Sequence, residues 1–114
     1  MPNIQIFGRN KCQDTRAAIR FFRERRIAFQ FIDLDQKGLS RGELESVGRA
    51  VGLENLLDTQ GREYQRQNLK YMKFDLAEAL LENPKLLKIP IVRNGRMAAI
   101  GSQPERWRAW LEAE

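Results

Sequence analysis

Cys12 stands in the run Gln5-Ile6-Phe7-Gly8-Arg9-Asn10-Lys11-Cys12-Gln13-Asp14-Thr15-Arg16 and is the only cysteine of the 114 residues. A thiol works as a nucleophile in its thiolate form. A helix N-terminus, with unpaired N–H groups and the positive end of the helix dipole, favours that form. The run puts Cys12 where a short strand gives way to a helix, and Lys11 and Arg16 add positive charge of the same sense. The competing reading is a buried thiol that packs as a small hydrophobe. Arg16, four residues along on the same helical face, either pairs with the thiolate or an anionic adduct or is a solvated surface arginine. The chain has no histidine. That removes Ser/His and Cys/His pairs, imidazole bases and histidine metal sites, and with one cysteine it leaves no zinc site. Any chemistry rests on the thiol, carboxylates, arginine or lysine, and no internal disulfide can form.

The length predicts one domain over 1–114, large enough to bury a core without metals or disulfides. No secretory segment opens the chain, and no apolar run approaches the roughly 20 residues of a membrane span. A reducing cytoplasm is the expected location, with neither membrane nor metal as partner. The net charge is +5, from 20 Lys+Arg against 15 Asp+Glu. It is either ordinary surface charge or an attraction to an anion: nucleic acid, an oxyanion, or the carboxylates of glutathione. The arginines are spread along the chain and not gathered with aromatics into one stripe, so nucleic acid is not the expected partner.

These residues need elements to place them. Asn3–Phe7 alternates Ile4 and Ile6 with polar neighbours and reads as a strand. Thr15–Arg26 carries Ala18, Ile19 and Phe22 on one side and Arg16, Arg20 and Arg23 on another, the pattern of an amphipathic helix. Ala28–Leu34 reads as a second strand, which makes a parallel βαβ unit. Ser40-Arg41-Gly42-Glu43 has the capping-box form and opens a helix through Val47 and Val51 to Gly52. Leu56–Arg62 reads as a turn or short helix leading to another helix near Tyr64. Asp75–Glu78 opens a helix that Asn83-Pro84 closes. Ile89-Pro90-Ile91-Val92 is an apolar strand, Arg93-Asn94-Gly95-Arg96 a hairpin signal, and Met97–Ile100 its partner strand. A last helix starts near Ser102 or Gln103 with Pro104 in its first turn, and Trp107, Trp110 and Leu111 are expected in the core.

A proline inside a strand lacks an N–H for the ladder and is tolerated where the backbone faces a ligand or the strand begins. Pro90 after a thiol at the end of strand one, together with Asn83-Pro84-Lys85-Leu86-Leu87-Lys88-Ile89-Pro90-Ile91-Val92 and the Cys12-x-x-x-Arg16 spacing, resembles one family over essentially the whole chain. It is the thioredoxin-fold family of the glutaredoxin-linked arsenate reductases and the Spx-type regulators. The resemblance implies an α/β, thioredoxin-like (glutaredoxin-type) fold: a mixed four-stranded sheet with a helical insertion at about 40–85. It also implies a cis Pro90 beside the thiol and Cys12 as nucleophile. No bound cofactor is implied. Glutathione enters as co-substrate, and glutathione or a glutaredoxin resolves the adduct, since the chain has no second thiol.

The chain departs from the family pattern at several positions. In the reductases an arginine precedes the strand proline, and here that residue is Ile89. An arginine of the insertion aligns with Gln60, with Arg62 two residues on as a substitute, and the closing segment reads Ala99-Ile100-Gly101-Ser102 where a third is expected. A tetrahedral dianion needs several fixed charge-assisted hydrogen bonds. An arsenate reductase-like monothiol oxidoreductase is therefore expected, with Cys12 and Arg16 in the chemistry and Lys11, Arg62 and Pro90 at the substrate. That substrate is expected to be a glutathione mixed disulfide or small oxidised thiol partner, and not arsenate. The Spx-type regulators carry Cys-x-x-Cys, and the position three after Cys12 is Thr15. Gly52 falls where those regulators place an interaction glycine, or simply ends a helix. The alternative is a non-enzymatic regulator or adaptor that binds a protein partner such as RNA polymerase; a third reading is a relative whose Cys12 no longer reacts.

Overall fold

The computed structural model describes residues 3–113. Nine regular elements follow in chain order: β1 Ile4–Gly8, α1 Gln13–Glu24, β2 Phe29–Asp33, α2 Arg41–Val51, α3 Arg62–Arg66, α4 Leu76–Glu82, β3 Ile91–Asn94, β4 Met97–Ile100 and α5 Pro104–Glu112. Short 3-10 turns at Leu53–Leu56, Leu69–Tyr71 and Pro84–Leu86 join the middle elements. The sheet order is β2-β1-β3-β4. β1 and β2 run parallel from Ile4↔Phe29 to Gly8↔Asp33; β3 is antiparallel to both β1 and β4. This is the mixed four-stranded, thioredoxin-like sheet, with residues 40–85 inserted as α2 to α4.

Side chains alternate across a strand, and the buried residues divide accordingly. Ile4, Ile6, Val92 and Ala99 join Phe22, Trp107 and Trp110 under α1 and α5. Phe7, Ile91 and Ala98 join Leu44, Val47, Leu56 and Leu80 from the insertion. The sheet is thus covered on both faces, and β1, in its middle, is apolar on both. Trp107 stacks edge-on to Phe21 with centroids 5.2 Å apart, a core role for the closing helix. No helix among the described residues is long and apolar enough to cross a membrane.

The capping box of α2 is complete: Glu43 N–H donates to Ser40 Oγ and Ser40 N–H to Glu43 Oε1. Gly52 follows at φ +90, outside the range comfortable for a side chain. Beyond one-residue shifts at the ends of β1 and β2, three boundaries differ from the sequence reading. Helix α1 runs from Gln13 to Glu24, not Thr15 to Arg26, because Arg26 takes φ 57. Arg26 N–H then bonds Phe22's neighbour Arg23 O, and Ile27 N–H bonds Phe22 O. That is a Schellman ending built on arginine where glycine is usual, so no glycine marks it in the sequence. The hairpin turn is Gly95-Arg96, one residue later than an Asn-Gly turn, because Asn94 is buried, pairs with Met97, and accepts from Asn3 N–H through Oδ1. With φ positive at Gly95 alone, the turn is of the II′ kind. β3 starts at Ile91, leaving Pro90, which has no N–H to donate, just outside the strand.

Candidate functional site

Cys12 is the N-cap of α1. Its backbone is extended (φ −81, ψ 121), its carbonyl accepts Arg16 N–H at 3.0 Å, and its Sγ accepts Thr15 N–H at 3.4 Å. The sulfur thus occupies the position that a Ser or Asp oxygen fills in an ordinary N-cap, facing an amide otherwise without a partner. Cys12 is half-buried. Neither the strand nor the helix alone sets this position. Thr15, fully buried, lies against Gly8, where a Cβ would come within 2.4 Å of Thr15 Oγ1. The missing side chain at Gly8 lets the first turn of α1 sit against the end of β1, and Arg9 N–H donates to Thr15 Oγ1 at 3.5 Å.

The Ile89–Pro90 peptide bond is cis and Pro90 is buried. β1 and β3 pair Phe7 with Ile91, so one further step places Pro90 opposite Gly8. Cys12 follows Gly8 by four residues, so the thiol's loop and the cis proline share one end of the sheet. Pro90 O accepts Gly101 N–H at 2.8 Å. Arg16, exposed, donates through Nη1 to the carbonyl of Asn10 at 2.8 Å, which ties the loop bearing Lys11 and Cys12 to the helix.

Lys11 and Arg62 are brought together: both line one cleft of about 520 Å³ with Arg9, Arg66 and Lys85, alongside Asp35, Asp58 and Glu63. Cys12, Arg16 and Pro90 are not among its walls. Gln60 faces a different hollow, with Tyr64 and Tyr71. Ile89 and Ile100 line a third with Lys88 and Gly101, so the position before Pro90 and the closing segment, where the resemblance places arginines, both present apolar surface.

The cleft is internally braced. Arg9 Nε donates to Asp35 at 2.9 Å. Glu63 accepts from Arg66 through both Nε (3.1 Å) and Nη2 (2.9 Å), and from Asn83 Nδ2 and Gln67 Nε2, each at 2.6 Å. The hydrogen bonds of Arg66 and Asn83 lower the Glu63 carboxyl from 4.5 to about 2, against the opposing pull of desolvation. This fastens α3, and Arg62 with it, to the turn after α4. Sequence reading did not single out Gly8, Arg9, Arg66, Lys85 or Glu63 for the site. For Gly8 a signal existed, a glycine at a strand's end before a helix cap; for the others the pairing is tertiary.

Comparison with known proteins finds relatives over nearly the whole chain. The chain is 29% identical to an arsenate reductase of Neisseria meningitidis over 117 residues, covering 97% of this chain and all of that one. It is 25% identical to the global transcriptional regulator Spx of Streptococcus pyogenes over 116 residues, 97% of this chain and 87% of the relative. Among solved structures, an arsenate reductase from Vibrio cholerae superposes with a TM-score of 0.79 at 25% identity, over 92% of this chain and 94% of that one. The YFFB protein superposes at 0.82 with 21% identity, over 94% and 97%, a likeness of fold. The ArsC family model matches residues 7–110, from the last core residues of β1 to the second tryptophan of α5, so the thiol loop, the insertion and the cis proline fall inside one match and the chain belongs to the ArsC family.

Proposed function

We propose that the protein is a monothiol oxidoreductase in which Cys12 exchanges thiols with glutathione mixed disulfides. The observation that carries this reading is the Thr15 amide on Cys12 Sγ at an N-cap, which offers a hydrogen bond to the sulfur anion. The thiolate attacks the glutathionyl sulfur of R–S–SG, forming Cys12–S–SG and releasing R–S⁻. A second thiolate then attacks that glutathionyl sulfur and frees Cys12: free glutathione yields oxidised glutathione, and a glutaredoxin cysteine yields the glutathionylated glutaredoxin. Arg16 adds positive charge one turn from the sulfur, Lys11 and Arg62 draw an anionic co-substrate, and Pro90 shapes the groove opposite Gly8. Ile89 and Ile100 supply no donor for a tetrahedral oxyanion, so arsenate is not the preferred substrate. The test is turnover of a mixed-disulfide peptide and of arsenate, each with glutathione and glutaredoxin, beside Cys12→Ser. Disulfide turnover lost in Cys12→Ser, without arsenate turnover, supports the reading; no turnover of either, or arsenate turnover alone, contradicts it.

A second reading rests on the likeness to Spx: a regulator or adaptor that binds a protein partner, such as RNA polymerase, without thiol chemistry. Thr15 replaces the second cysteine of a Cys-x-x-Cys switch, so such a regulator would lack an internal disulfide. Partner capture and in vivo function retained by Cys12→Ser would favour it.

A further inference from the structure

The outer edge of β4 carries no strand, and the register of the hairpin fixes which groups it presents. Met97 pairs with Asn94 across the two-residue turn, Ala99 pairs with Val92, and Gly101 N–H donates to Pro90 O at 2.8 Å. Bonded and non-bonded pairs alternate along an antiparallel ladder, so Ala98 and Ile100 turn their N–H and C=O groups away from β3. Ile100 O accepts from Gln103 Nε2 at 2.6 Å. Ala98 N–H, Ala98 O and Ile100 N–H are left without a partner among the described residues. A hollow of about 360 Å³ follows this edge, between Ala50 of α2 and Arg106 and Trp110 of α5. Those two helices cover opposite faces of the sheet, so the hollow straddles the strand, with Met97 44% exposed in its wall. An adjoining hollow adds Arg49 and shares Ala50 and Arg96. Arg49, Arg96 and Arg106 are exposed and make no ion pair among the described residues, and no carboxylate lines either hollow.

We propose that β4 is a docking edge for an extended acidic segment of a partner protein, which adds to the sheet as a further strand. Its backbone meets the free groups of Ala98 and Ile100, an apolar side chain covers Met97, and its carboxylates meet Arg49, Arg96 and Arg106. The same arginines exclude a second copy of this chain, which would set three guanidinium groups against three. The edge is separate from the thiol. Its arginine-lined end adjoins Asn94, which pairs with Ile4 at the start of β1, whereas Cys12 follows Gly8 at the other end of that strand.

The test is amide hydrogen exchange of the Cys12→Ser chain, in which thiol exchange plays no part, read by NMR. The probes are a short capped peptide of alternating glutamate and valine and its counterpart with lysine for glutamate. With the acidic peptide at about ten times its dissociation constant, the Ala98 and Ile100 amides should exchange about ten-fold more slowly, since only the unbound fraction exchanges. Arg96→Gln and Arg106→Gln, both at exposed positions, should each weaken binding about three-fold, as loss of an exposed ion pair does. The lysine peptide should leave the amides as they were. No saturable change with the acidic peptide, binding that leaves both amides unprotected, or equal protection by the lysine peptide overturns the proposal. Protection that rises with protein concentration in the absence of peptide assigns the edge to a second copy, and an oligothymidylate that binds the arginines where the acidic peptide does not assigns it to nucleic acid; either result also overturns it.

Discussion

Gly8 and Thr15 meet so closely that a methyl group on Gly8 would lie 2.4 Å from Thr15 Oγ1 and 2.6 Å from its Cγ2. This contact seats the first turn of α1 against the end of the central strand, and the same threonine presents its amide to the Cys12 sulfur. The packing of β1 on α1 and the placing of the thiol are therefore one arrangement.

Gly8→Ala should consequently overpack this buried junction and cost about 1–3 kcal/mol, read by urea denaturation. Thr15→Ala in the same chain removes the clashing atoms, so the double variant should be more stable than the two single losses added together. Simple additivity would show that the junction is loose.

Glu63 gives the fold an acid limb. Its folded-state carboxyl is depressed from 4.5 to about 2, so the ionised form contributes its full stabilisation above about pH 4.5 and loses it as the pH falls through about 2. Glu63→Gln does not titrate there. The difference in unfolding midpoint between parent and variant should be constant above pH 4.5 and shrink steadily below it. A difference that stays constant to pH 2 would mean that the carboxylate is not held as described.

Ile89 tests the reading of the substrate pocket. Ile89→Arg restores a guanidinium next to Pro90, and arsenate should then protect Cys12 from alkylation about ten-fold more effectively than in the parent, as one charge-assisted contact would allow. Equal protection in the two chains would locate the oxyanion determinants elsewhere.

The fold was legible in the sequence because its signals are local. The capping box at Ser40–Glu43, the alternation of Ile4 and Ile6, and the spacing of Trp107 and Trp110 each occur within a few residues. The ends of α1 and the hairpin were misplaced for opposite reasons. Arg26 adopts a left-handed conformation that its residue type does not announce, and Asn94, a turn former, is drawn into the strand by the hydrogen bond it accepts from Asn3 N–H. In the site, Cys12, Arg16, Lys11, Arg62 and Pro90 could be singled out from residue type, spacing and resemblance. That Lys11 and Arg62 share a cleft with Arg9, Arg66 and Lys85 could not, because those residues meet only once the insertion has packed.

The most direct measurement is the intact mass of the protein after exposure to a glutathionylated peptide at neutral pH, before and after adding glutathione. The account predicts one glutathionyl adduct, mapped to Cys12, that excess glutathione removes while oxidised glutathione accumulates, and none in Cys12→Ser. A parent chain that takes up no adduct under these conditions, or holds one that glutathione does not release, would contradict it.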